Sequence, residues 1–118
     1  MWIYTNKGMV SVVEHREMKT HLLLRARHPS HIKAFIGTVE NIEIFELDDA
    51  DYRYRALITR IDFQRMMLDS ISKITYPDFK GSIPKTNEGN VYYNACYKAW
   101  HAMNDAFPNE KELSCLKY

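Results

Sequence analysis

The apolar positions change period along the chain, and those changes predict its elements. Trp2 to Thr5 is a short aromatic and β-branched run. Asn6-Lys7-Gly8 follows as a turn signal, with Gly8 supplying the positive φ that a tight hairpin needs. Met9 to His15 is rich in Val and reads as the returning strand. His21 to Arg27 alternates, with Leu22, Leu24 and Ala26 on one side and Leu23, Arg25 and Arg27 on the other. Pro29 suits the first turn of a helix, Ile32, Phe35 and Ile36 share one helical face, and Gly37 ends it.

The second half repeats the switch. Val39 to Leu47 reads as a strand and Asp48-Asp49-Ala50 as a turn. Tyr52 to Thr59 alternates again, with Tyr52, Tyr54, Ala56 and Ile58 on one face and Arg53, Arg55 and Leu57 on the other. Thr59 and Asp62 resemble a capping box, and Phe63, Met66, Met67, Ser70, Ile71 and Ile74 trace a helical stripe behind them. Residues 75–90 carry Pro77, Gly81, Pro84 and Gly89 and read as a long loop. Val91 to Phe107 is the longest helical pattern, and Pro108 stops it.

Strands grouped in hairpins, with helices concentrated later, argue an α+β fold. The expected architecture is a small antiparallel sheet, an N-terminal hairpin plus further strands, with two to three helices packed on one face. The expected core is Leu22, Leu24, Tyr54, Ala56, Ile58, Phe63, Met67, Ile71, Ala99 and Met103. A chain of 118 residues, 46% hydrophobic and 26% charged, fits a single domain over 1–118.

Charge changes the picture more than composition does. The net charge is +1, which does not suit a general nucleic-acid coat or a membrane-surface binder. The charges are nevertheless segregated: residues 38–51 hold Glu40, Glu43, Glu46, Asp48, Asp49 and Asp51 and no base. That stretch either pairs with basic groups of the same fold or forms an acidic patch for a basic partner. Cys96 and Cys115 form no CxxC pair and read as reduced thiols. With no signal-peptide pattern at the start and no apolar run of membrane-spanning length, the expected location is the cytoplasm.

Candidate chemistry is sparse. None of GxxxxGK[ST], GxGxxG, GxSxG or HExxH occurs. His28 and His31 have HxxH spacing, with His21 and His15 upstream, but His28 precedes a proline at a helix start and no Cys lies nearby, so surface histidines at a strand-to-helix junction are expected rather than a metal site. His101 lies five positions after Cys96, rotated away from the thiol on a helix, which disfavours a Cys–His pair. No catalytic residue, metal or cofactor is expected. The arginines are more informative: Arg25 and Arg27 alternate on one strand, Arg53 and Arg55 on another. On neighbouring strands they would line one sheet face, suited to carboxylate or phosphate, unless carboxylates such as Glu14, Glu43 and Glu46 neutralise them. On the last helix Tyr93, Tyr97 and Trp100 share a second candidate binding face.

The runs Met1-Trp2-Ile3-Tyr4-Thr5, Gly8 to Arg16, Leu22 to Arg27, Ala50 to Ala56 and Tyr76 to Lys80, followed by a Tyr/Trp/Met helix, resemble a family of small phage, prophage and bacterial proteins with no assigned activity. The resemblance covers nearly the whole chain but not Gly81 to Asn90. It implies a one-domain cytosolic protein and transfers no catalytic residues. The expected function is that of a small non-enzymatic binding protein of phage or mobile-element type, which occupies a surface of a host or phage protein complex and acts as an inhibitor of a host defence complex, as a monomer or homodimer. Two rivals stand beside it. One is a nucleic-acid-binding module using the arginine face with Tyr side chains as stacking platforms. The other is a small enzyme with its site in the 75–90 loop.

Overall fold

Thr5 and Gly8 face each other across a two-residue turn, and this hairpin starts the sheet. Gly8 sits at φ 151°, and the His31 ring occupies the space where a Cβ would stand, so both backbone and packing demand glycine. The structure is a computed structural model and describes residues 1–109. The strands are β1 (Trp2–Thr5), β2 (Gly8–Glu14), β3 (His21–Ala26), β4 (Ile44–Glu46) and β5 (Tyr54–Thr59). They form one antiparallel sheet in the order β1-β2-β3-β5-β4. Three α-helices complete the α+β fold: α1 (Pro29–Ile36), α2 (Arg60–Ser72) and α3 (Asn87–Ala106).

The chain divides into two compact units, the first Met1–Ser82 and the second beginning at Ile83. The first holds the whole sheet with α1 and α2. Its core lies on one sheet face, where Val10, Val12, Leu22, Leu24, Ala26, Ala56 and Ile58 meet Ile32, Phe35 and Ile36 of α1 and Met66 of α2. The alternation in β3 and β5 explains this directly, because a period of two sends every second side chain to the same face. Helix α1 begins as the sequence predicts, with Pro29 in its first turn and Gly37 after its end. Its N-cap is His28, whose Nδ1 accepts from the Ser30 amide at 3.2 Å. Helix α2 begins at the Thr59 cap, whose hydroxyl accepts from the Asp62 amide at 3.1 Å.

Several expectations need correction. The strand expected over Val39 to Leu47 is only Ile44–Glu46, and Val39 and Ile42 pack against the core from irregular backbone instead. Tyr52 lies before β5 rather than in it, and leaves the Tyr54–Ala56–Ile58 face. Met66 is the fully buried residue of α2, whereas Phe63 and Met67 only flank the core and Ile71 is 57% exposed. Ile71 is more than a turn past Met66, and the core takes nothing from α2 beyond Met67. Helix α3 starts at Asn87, four residues before Val91, because Thr86 caps it by accepting from the Gly89 amide at 3.0 Å. Its buried positions are Tyr92 and Cys96, one turn apart. Ala99 is half-buried, and Met103, one turn further, is exposed rather than core. Of the two cysteines, Cys96 is buried and in no disulfide, and Cys115 lies outside the described residues.

Candidate functional site

The sheet face turned away from α1 and α2 is set by strand register. One row across it reads Trp2, Ser11, Arg25, Arg55 and Phe45, each directly opposite the next on the neighbouring strand. The next row reads Val13, Leu23 and Leu57. The apolar ends of both rows, Trp2, Phe45, Val13 and Leu57, are exposed, as is Tyr4 two residues along β1 from Trp2. Arg25 and Arg55 at the centre are partly covered, and Ser11 is 1% exposed. Strands β3 and β5 are neighbours, so the condition under which their arginines share a face is met for Arg25 and Arg55. Arg27 and Arg53 lie just beyond the ends of those two strands and are exposed.

Carboxylates divide the four arginines into two pairs. Arg53 Nη2 lies 3.3 Å from Glu46 and 3.1 Å from Asp48. Arg55 Nη2 lies 3.8 Å from Asp51, and its Nε donates to the Tyr52 carbonyl at 2.9 Å. The acidic stretch thus folds back on the β5 arginines. Of the carboxylates expected to do this, Glu46 does, whereas Glu14 pairs with Arg60 and Lys19. Arg25 and Arg27 meet no carboxylate among the described residues. Their guanidinium carbons lie 4.6 Å and 4.5 Å from the centre of the Tyr52 ring, within cation–π range. Arg25 Nη2 also donates to Ser11 Oγ at 2.8 Å, and Arg25 Nε is enclosed without an acceptor.

Tyr52 is the residue that the alternation pattern misses. It is 4% exposed, its ring takes two guanidiniums, its carbonyl takes a third, and Asp51 Oδ1 accepts from its amide at 2.9 Å. The signal for it lay in the preceding Asp-Asp-Ala-Asp turn, which ends the alternation before Tyr54. Ser11 is the other missed residue, and nothing in a Val-rich strand marks it.

The second candidate face belongs to the second unit. Tyr93, Tyr97 and Trp100 are 38%, 43% and 50% exposed on α3. Tyr97 and Trp100 stack at 6.2 Å, and His101 meets both rings edge-on at 4.6 Å and 5.1 Å. The sequence-predicted residues therefore form two clusters, arginines on the sheet and aromatics on α3. In the HxxH pair, the rings of His28 and His31 are 5.4 Å apart, and both Nδ1 atoms accept from backbone amides, His31 from Met9 at 3.3 Å.

No helix among the described residues is long and apolar enough to cross a membrane. The chain matches no family model, and no curated protein or solved structure matches it significantly.

Proposed function

We propose that this chain is a non-enzymatic protein-binding module whose contact surface is the sheet face turned away from α1 and α2. The observation that carries the reading is the composition of that face: Trp2, Tyr4, Phe45 and Leu57 are exposed around partly covered arginines. Exposed aromatics stand at both edges of this five-stranded face with arginines between them, and aromatics with arginine are the types that anchor interfaces. The acidic stretch also favours a protein partner. Glu46, Asp48 and Asp51 neutralise two of the four arginines, and a polyanionic backbone would have to approach past them. The finer reading, an inhibitor of a host defence complex of the kind phages and prophages encode, draws on the small size, the lack of catalytic motifs, the segregated charge and the surplus aromatics, with the family resemblance beside them.

The test is a pair of surface variants. Trp2→Ala with Phe45→Ala should leave the far-ultraviolet spectrum and melting temperature near those of the parent, because both side chains are exposed. The same double variant should lose whatever protein the parent chain retains from a lysate of infected or prophage-bearing cells. Retention of the same protein by the variant overturns the reading.

A further inference from the structure

We infer that Arg25 and Arg27, held over Tyr52, form a carboxylate-binding site for an acidic side chain of the protein partner. The inference rests on the reading of this face as a protein contact surface and names the group that the partner presents there.

Arg25 lies on the inner strand β3, between β2 and β5, so the sheet fixes its backbone on both sides. Its Nη2 is tied to Ser11 Oγ, and its guanidinium is held over Tyr52. An arginine held at both points loses little freedom when a ligand arrives, which is the preorganisation that makes guanidinium recognition effective. Arg27, exposed beside the same ring, supplies a second guanidinium that solvent and ligand can reach.

Charge complementarity identifies the ligand. Arg53 and Arg55 already have carboxylate partners, and they show which anion this face accepts: side chains of Asp and Glu. Arg25 and Arg27 carry the same charge and have no such partner among the described residues. The charge of these two guanidiniums stands at β3, with exposed Trp2 and Tyr4 of β1 towards one edge of the sheet and the acidic stretch beside β5 towards the other. It is a spot, not a track along which successive phosphates could run. An acidic side chain set among apolar neighbours fits that spot, with the planar carboxylate matched to the guanidinium fork.

The experiment reads the arginine side chains directly. The Nε–Hε signals of Arg25, Arg27, Arg53 and Arg55 are followed by nuclear magnetic resonance in the full chain. The titrants are a hexapeptide alternating Glu and Leu, its Gln-and-Leu counterpart, inorganic phosphate and a short oligothymidylate. The expected result is a saturable shift of the Arg25 and Arg27 signals with the Glu-containing peptide, with Arg53 still. Binding should weaken by about tenfold in Arg27→Gln, the loss expected for one charge-assisted hydrogen bond. Arg27 is exposed, so its variant folds; Arg25→Gln is the second variant, used with the spectrum of the folded chain as control. Equal binding of the Gln peptide, unchanged affinity in Arg27→Gln, or tighter binding of the oligothymidylate overturns the proposal. Failure here is separable from failure of the wider reading. If Trp2→Ala with Phe45→Ala abolishes partner retention while Arg25→Gln with Arg27→Gln preserves it, the carboxylate site is wrong and the binding face stands.

Discussion

Arg25 and Arg55 stand directly opposite each other on β3 and β5, like charges in register in the middle of the sheet. Such a pair is unfavourable in isolation. Tyr52 contacts both: its ring lies 4.6 Å from the Arg25 guanidinium, and its carbonyl takes Arg55 Nε at 2.9 Å. Tyr52, outside the strand, thus joins Ser11 and Asp51 in holding a pair that would otherwise repel.

That relationship predicts an asymmetry between two substitutions. Tyr52→Ala removes a 4%-exposed ring and the surface on which two guanidiniums rest. It should destabilise the fold by about 3–5 kcal/mol, as for other buried aromatics cut to Ala. Tyr52→Phe keeps the ring and should cost much less. Urea unfolding of the two variants decides it, and similar losses would mean that the ring is not what organises the arginines.

A second contrast lies on the core. Leu24 is 0% exposed at the centre of β3, and Leu24→Ala should cost about 2–5 kcal/mol as a cavity variant. Ile71→Ala should change stability by no more than about 0.5 kcal/mol, since the residue is 57% exposed. Both are measured by the same urea titration. A large loss at Ile71 would restore it to the core that the helical stripe alone suggests.

Leu24 and Ile71 also show where the sequence was legible. The faces of β3 follow from alternation, because a strand buried on one side must repeat every two residues and a slip would reverse it. Burial along α2 does not follow from periodicity in the same way. A stripe gives the direction of a helix face but not how far the sheet extends beneath it, so Met66 is enclosed while Ile71 and Ile74 are not. The arginine face was legible as a set of residues, since Arg25 and Arg55 had to share a face once β3 and β5 were neighbours. Its division into two pairs was not. That depends on a turn bringing Glu46, Asp48 and Asp51 to Arg53 and Arg55, and on Tyr52 leaving the strand pattern.

The helix caps give a third prediction. Thr59 accepts from the Asp62 amide and so meets one of the donors that the first turn of α2 leaves unpaired. Thr59→Ala should cost about 1 kcal/mol, with Thr59→Ser close to the parent. Thermal unfolding followed by helical circular dichroism measures both, and no loss in the Ala variant would show that the cap does not contribute.

Cys96 offers a chemical check on α3. Its side chain is buried and in no disulfide, so the thiol should react slowly with a disulfide reagent in the native protein and rapidly in urea. The measurement is made with Cys115→Ser, so that one thiol reports. Rapid native labelling would count against burial of this helix face and in favour of a reactive site.

The arginines of β5 carry the last prediction, because they share a sign and a face but not an environment. Arg53 has a half-exposed side chain, and both its carboxylates, Glu46 and Asp48, are exposed. Pairs of this kind are screened and contribute little, so Arg53→Gln should cost no more than about 1 kcal/mol. The Arg55 side chain is 14% exposed, and its Nε bond to the Tyr52 carbonyl is part-buried. Arg55→Gln leaves that carbonyl without its charged donor and should cost about 1.5–3 kcal/mol. Salt separates the two contributions. Added sodium chloride should erase most of the small effect at Arg53, which is Coulombic and solvated, and leave most of the effect at Arg55, which is a shielded hydrogen bond. Urea rather than guanidinium must be the denaturant, because guanidinium is itself a salt. Equal losses in the two variants, or equal sensitivity to salt, would show that the acidic stretch holds both arginines by surface charge alone and that Tyr52 does not anchor the turn.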